Sequence, residues 1–425
     1  MVNLRRRSQL LALVLVVLFC AACPFPLGPV DQTLSLSAAE LRPLLEGESR
    51  PIVVDTRCRE EYESGHLPGA LKVTLNQLEG YLANADISRD RTIVAVCALG
   101  HESLVAAALA RTMGFRKAVS LEGGMEKLPS GFPLVQGPAP VEERLLRPRV
   151  LQAGTFEQVL VTITGLVIKP TYMLLSLVLV VILWRAPGRG LELVRRGLLL
   201  FFVGEAFCAL NYIFTAGDCE SLDIAHGLGM IGMGALVPWG LFLILDQEVP
   251  GLQDPDKPCP LLRLCRRCWK REQVPCYLRR LLRFAALVLA AVALLPLASP
   301  LVPSRPAVPV FGSTVIYAVD LPVQLLHFRL YPALGALLLA ASAIALRNRG
   351  PISSRTQSLF FWGLGFTSFA LFRFFLFQAY RTAPWWADAW EELTELLAVV
   401  AVAWGLYVFR DQLGLSRSSR ADKRG

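Results

Sequence analysis

The sequence predicts two architectures in one chain: an α/β domain with a central, mostly parallel sheet, then an all-α polytopic membrane domain containing an internal three-helix repeat. Three observations carry this. Between residues 41 and 133, short β-rich runs alternate with helix-like stretches, the pattern of a parallel sheet. Beyond residue 150 the apolar residues come in blocks instead of amphipathic stripes. Two of those blocks end alike, in P-W-G-L-F-L-I-L-D-Q at 238–247 and A-W-G-L-Y-V-F-R-D-Q at 403–412.

The α/β elements follow in order. Pro51–Asp55 and Thr92–Val96 are apolar, β-rich strands, and Ala118–Leu121 is a third, closed by the Gly123-Gly124 turn. Helices are expected at 58–64, 75–84 and Ser103–Met113, the last with Ala107, Ala108, Leu109 and Met113 on its apolar face. Ligands of such a sheet bind at the carboxyl ends of its strands, and Cys97 stands directly after one. Backbone N–H groups of the loop Ala98, Leu99, Gly100, His101, Glu102 and Ser103 are expected to converge on its sulfur. Their dipoles favour a thiolate or a persulfide, and thiolate character makes a cysteine reactive.

These residues resemble the rhodanese superfamily of sulfurtransferases. V-V-D-T-R at 53–57, E-Y-E-S-G-H-L-P-G-A at 61–70, C-A-L-G-H-E-S at 97–103 and L-E-G-G-M at 121–125 occur in the family's order, within residues 41–135. The resemblance implies that Cys97 accepts sulfane sulfur as a persulfide and passes it on. The partners are then small sulfur species or a thiol-bearing acceptor protein. Asp55, Arg57 and His66 are expected to hold the motif segments together, and Cys58 is either a bystander or a resolving partner of Cys97. One position departs from the pattern: Glu102 stands where many active members carry Arg. A carboxylate there opposes a thiolate and anionic donors, unless His101 offsets it or Glu102 turns away to cap its own helix. The alternative is a non-catalytic binding or sensor domain attached to a membrane transporter or redox protein.

With 54% hydrophobic and 18% charged residues, the chain is too apolar for one soluble globule. Membrane-length blocks lie at 171–185, 197–216, 225–245, 282–302, 322–346, 357–377 and 392–409, seven spans where roughly 20 residues cross a bilayer. The net charge of +9 sits mainly in alternate connections, at 185–196, 263–283, 347–355 and the tail. This is a positive-inside pattern rather than a nucleic-acid surface. It places the chain in the inner (plasma) membrane among its lipids, with the first domain extracytoplasmic and the C-terminus cytoplasmic. Arg5, Arg6 and Arg7 before the apolar run Leu10–Cys20 agree with an export signal or anchor.

The expected divisions are thus a signal peptide or anchor (1–23), a rhodanese-like domain (35–140), a linker (141–168) and a first repeat unit (169–246). A basic cytoplasmic four-cysteine loop (247–281), an intervening helix (282–302), a second repeat unit (322–410) and a basic tail (411–425) complete the chain. Glu205, Asn211, His226 and Arg373 are polar residues inside spans, where an unpartnered group is costly and function is suspected. They read either as a pocket opening outward or as buried pairs, such as Glu205 with Arg373. Cys259, Cys265, Cys268 and Cys276 are candidate thiolate ligands for zinc or an iron–sulfur cluster. A redox or sulfur relay and incidental thiols are the other readings of that loop.

Overall fold

The structure is a computed structural model that describes residues 34–47, 49–138, 141–215, 219–248, 276–347 and 352–410, with Leu413 and Leu415. The export signal, the basic tail and Cys259, Cys265 and Cys268 lie outside the described residues, as does the side chain of Cys276.

The N-terminal domain is a five-stranded parallel sheet in the order β1-β5-β4-β2-β3. Its strands are β1 (Ser35–Leu36), β2 (Ile52–Asp55), β3 (Leu71–Lys72), β4 (Ile93–Val96) and β5 (Ala118–Leu121), and its helices are α1 (Ala38–Glu46), α2 (Arg59–Ser64), α3 (Leu75–Asn84) and α4 (His101–Thr112). The central strands β2 and β4 are buried on both faces, as their unbroken apolar sequences demand. One face packs Leu78, Leu82, Val105 and Leu109 of α3 and α4, the other Leu41 and Tyr62 of α1 and α2. The edge strands are two residues each, too short to carry a periodic signal. Helix α1 starts at a capping box, Ser37 with Glu40. Helix α4 begins at His101, two residues before the expected Ser103, because Gly100 takes the left-handed conformation (φ +88°) and turns the chain into the helix at once.

Among the described residues, six helices are long and apolar enough to cross a membrane: α5 (Thr155–Ile182), α6 (Arg189–Thr215), α7 (Glu220–Glu248), α8 (Cys276–Val292, its span running on to Ala298), α9 (Leu321–Ala345) and α10 (Ser354–Ala379). A further helix, α11 (Pro384–Val408), has 25 residues but carries Asp388, Glu391, Glu392 and Glu395 in its first half. The expected count of seven spans therefore becomes six by composition, with α11 set apart by its carboxylates. The first span starts at Thr155, so the stretch up to 168 expected as linker is helical from there on. The intervening span covers Leu278–Ala298, and Val302 beyond it is loop. The region is not purely α either. A hairpin, β6 (Ala307–Val310) and β7 (Ser313–Ile316), fills the connection before α9.

Both α5 and α9 contain a π-helical turn, Thr164–Ile168 and Leu326–Leu330, two residues before Pro170 and Pro332. A proline cannot donate to the turn behind it, and a widened turn absorbs that missing bond. The two Trp-Gly-Leu segments meet different surroundings. Trp239 is buried, stacks on Phe361 and donates to Gln357, whereas Trp404 is 67% exposed.

Glycines let the helices approach closely. A Cβ on Gly229 would lie 2.7 Å from the Cα of Gly204, and one on Gly365 would lie 2.6 Å from the carbonyl oxygen of Ile231. Small residues at crossings are the usual means of helix packing in lipid. The α/β domain sits on the connections at one end of these helices. Glu79 of α3 accepts hydrogen bonds from Ser304 Oγ (2.7 Å) and the Arg305 N–H (2.9 Å). Leu301, Val302 and Phe328 join the apolar face of α3 and α4.

Candidate functional site: the Cys97 loop and a buried polar cavity

Cys97 leaves the end of β4, and the chain returns over it into α4. The backbone N–H of Gly100 donates to Cys97 Sγ at 3.1 Å and that of Ser103 at 3.4 Å. Ser103 Oγ lies 3.3 Å from the sulfur and 2.8 Å from Ser120 Oγ on β5. Donors aimed at a buried atom favour negative charge there. The loop is clamped from behind: the N–H groups of Met125 and Glu126 donate to the carbonyls of Cys97 and Ala98. A Cβ on Gly124, which has φ +63°, would come within 2.3 Å of both carbonyl oxygens. Cys97 is 4% exposed, while Leu99 and His101 project outward beside a cleft of about 460 Å³ that Lys127, Glu40 and Ser37 also border.

Glu102 has neighbours of its own. Its carboxyl interacts with the Thr56 side chain and with Lys72 on the far side of β2, and burial pushes it above the usual carboxylate range. Burial also lowers the Lys72 ammonium, which Asp55 and Glu102 partly restore. The remaining motif residues are fasteners. Arg57 grips Asp55 at 2.6 Å and donates to the Gly65 carbonyl, and His66 stacks on Tyr62 at 3.9 Å. Cys58 is exposed against Glu61, and Cys58, Cys97, Cys208 and Cys219 are all free thiols. Sequence reasoning missed Ser120 and Thr56, whose small hydroxyls carry no signal until the sheet brings them beside the loop.

A rhodanese-like domain model matches residues 37–129, and the thiosulfate sulfurtransferase GlpE of Pseudomonas savastanoi pv. phaseolicola is 32% identical over 92 residues, 21% of this chain and 85% of that protein. The chain belongs to the rhodanese-like family. Other rhodanese-like matches are more distant. The adenylyltransferase and sulfurtransferase UBA4 of Candida albicans is 28% identical over 116 residues, 26% of each chain, and uba4 of Ogataea parapolymorpha is 28% identical over 81 residues, 19% of this chain and 21% of that one. The chain thus spans about a quarter or less of these two relatives. The crystal structure of SSP1007 from Staphylococcus saprophyticus is 25% identical and covers 23% of this chain and 97% of that one, with a TM-score of 0.21. The rhodanese-like match ends ahead of the helical region.

Within the helices a second constellation forms. Asn211, His226 and Arg373 line one cavity of about 150 Å³, with Lys169, Glu392 and Glu395. Glu205 stands behind it, fully buried. The pairs differ from the expected Glu205–Arg373. Glu205 lies 2.6 Å from Lys169 Nζ and 3.1 Å from His226, whereas Arg373 pairs with Glu391 (2.5 Å) and Asp223 (3.6 Å). Helix α5 puts Lys169 beside Glu205, and α11 supplies the carboxylates that hold Arg373. Lys169 also reaches Glu392 at 2.8 Å, and the single Tyr172 hydroxyl lies 2.6 Å from both carboxyl groups. Lys169, Tyr172 and the α11 carboxylates were missed. The available signal was E-E-L-T-E at 391–395, whose carboxylates recur at one-turn spacing inside an apolar block.

Proposed function

We propose that this chain is a membrane-bound sulfurtransferase that carries sulfane sulfur as a persulfide on Cys97. The observation that carries the reading is the pair of backbone N–H groups, from Gly100 and Ser103, directed at Sγ. With thiosulfate, the thiolate attacks the outer sulfur, the S–S bond breaks, and sulfite leaves with the bonding pair. The terminal sulfur of the Cys97 persulfide then bears the negative charge that the loop donors stabilise. An acceptor thiolate attacks that sulfur, forms its own persulfide and regenerates the Cys97 thiolate. The Lys72 ammonium and the Thr56 side chain act on the Glu102 carboxyl and offset its charge toward an incoming anion, which supports the reading.

The same reading puts the domain on the extracytoplasmic face of the inner membrane, where the N-terminal signal would deliver it. Support comes from the basic residues Arg185, Arg189, Arg195, Arg196, Arg347 and Arg355, which belong to the helix ends away from the α/β domain. Cationic ends favour the cytoplasmic side. The four-cysteine loop would then face the cytoplasm as a site for zinc or an iron–sulfur cluster, and the two three-helix units would be a parallel duplication.

The test is intact mass spectrometry of the full chain in detergent after treatment with thiosulfate. The expected result is a gain of one sulfur atom at Cys97, released by added thiol, absent in Cys97→Ser and retained in Cys58→Ser. Absence of the adduct in folded protein with a free Cys97 thiol would leave a binding or sensor domain as the function.

A further inference from the structure

We propose that the helical region binds a divalent transition-metal cation between Glu205, Cys208 and His226, with Glu395 closing the site. This inference is independent of the chemistry at Cys97 and of the cytoplasmic cysteines.

The buried cluster is asymmetric in charge. Four carboxyl groups, from Glu205, Glu391, Glu392 and Glu395, share the cluster with two permanent cations, Lys169 and Arg373. Lys169 satisfies one oxygen of Glu205 and one of Glu392, and Arg373 takes Glu391. What remains is a set of acceptors. Glu395 is 5% exposed, lines the cavity, and neither of its oxygens has a hydrogen-bond partner among the described residues. Glu205 Oε1 and His226 Nδ1 lie 3.1 Å apart, each fully buried and without a hydrogen bond among the described residues. Two ligand atoms this close can share one cation, and the Glu395 carboxyl, which has no partner among the described residues, is costly to bury in an apolar region otherwise.

The distances agree. The ligand atoms of Glu205, Cys208 and His226 lie within 4.8 Å of one another, as do those of His226, Glu391 and Glu395 and those of Glu205, Glu392 and Glu395. Metal–ligand bonds of about 2.0–2.3 Å put two ligands of one tetrahedral ion roughly 3.3–3.8 Å apart, so the ligand atoms draw in on binding. The three triads share Glu205, His226 and Glu395 pairwise, so they adjoin one another, with His226 facing Glu205 through Nδ1 and Glu391 through Nε2. A set of carboxylate, imidazole and thiol excludes the all-oxygen preference of calcium and magnesium and fits zinc and its first-row neighbours.

The residues come from α6 (Glu205, Cys208), α7 (His226) and α11 (Glu395), and the cavity between them is bordered by the connections under the α/β domain, such as Ser304 and Asp320. A cation would therefore tie the carboxylate-bearing α11 to the packed pair α6 and α7.

The probe is Zn²⁺, or Co²⁺ for its visible spectrum, added to the full chain in nanodiscs and followed by desalting and elemental analysis. A Cys265→Ser/Cys268→Ser background removes the loop thiols as a competing site. In that background one equivalent of metal is expected to remain and to raise the Tm. Glu395→Gln breaks no pairing among the described residues, so it should fold, yet weaken binding by more than about 10-fold, as even outer-shell losses do. Cys208→Ser should keep Co²⁺ but lose its sulfur-to-metal charge-transfer band. The proposal is overturned if the loop-thiol background retains no stoichiometric metal, or if folded Glu395→Gln and His226→Gln load it as the parent does.

Discussion

The Cys97 loop and the helical cavity both gather polar groups in buried places, and they do so by opposite means. The loop is made by backbone. Its donors belong to Gly100 and Ser103, within six residues of the sulfur they serve. The cavity is made by side chains, and Lys169 meets Glu392 across 223 positions of sequence. A backbone site depends on conformation, so it tolerates side-chain changes but not a wrong φ. A side-chain site depends on charge balance in a medium that cannot solvate a mistake.

The largest expected effect in this comparison lies in the cavity. Lys169→Met removes the cation shared by Glu205 and Glu392 and leaves Glu392 without a cation and Glu205 with His226 alone. Breaking such a pair costs about 3–5 kcal/mol. Thermal unfolding of the full chain in detergent should show a large loss of Tm in the helical region, with sulfur loading at Cys97 intact where the protein remains folded. A Tm equal to the parent's would mean that the cluster is not charge-balanced as described.

Next is the loop's own failure mode. Gly124→Ala forces a side chain into a positive-φ, extended-ψ conformation that is nearly confined to glycine (φ +63°, ψ −159°), which costs about 1–3 kcal/mol, and drives a Cβ against the carbonyls of Cys97 and Ala98. Sulfur loading should fall sharply while the helical region keeps its Tm. Normal loading in this variant would show that the clamp behind Cys97 is dispensable.

Smaller still is the effect of Glu102→Gln. Burial raises this carboxyl in the folded state, so the folded protein holds the proton more tightly than the unfolded chain does. Its favourable contribution is present below the unfolded carboxylate range and is lost as pH rises through the folded value. The Gln variant should therefore gain a little Tm at neutral pH and nothing under acid conditions, as a pH series of melting curves would read out. A variant that loses Tm at neutral pH would mean that the contacts to Thr56 and Lys72 outweigh desolvation.

Legibility followed the same division. Strands β2, β4 and β5 and helices α2 and α3 could be read because each carries its apolar run or its cap within its own residues. Strands β1 and β3 are pairs of residues held by neighbours, Ser35 to Ser120 and Val54 to Leu71, and two residues have no period. Glu205, Asn211, His226 and Arg373 were visible as polar residues in apolar surroundings. Their partners were not, because Lys169 sits beside a proline at a block edge, and the α11 carboxylates straddle the start of the last apolar block at 392.

By itself the sequence determined that Cys97 ends a buried strand, that a tight glycine-containing loop follows it, and that the region beyond Thr155 is apolar enough to lie in a membrane. Each of these is local: a β-rich run, a glycine that permits a positive φ, a composition. Only the tertiary structure decided that Lys72 comes to act on Glu102, that Lys169 and not Arg373 neutralises Glu205, and that α11 brings its carboxylates to a histidine on α7. Those outcomes depend on which helices pack together, and in a low-dielectric interior a charge is answered by whatever side chain lies within a few ångströms, however distant in sequence.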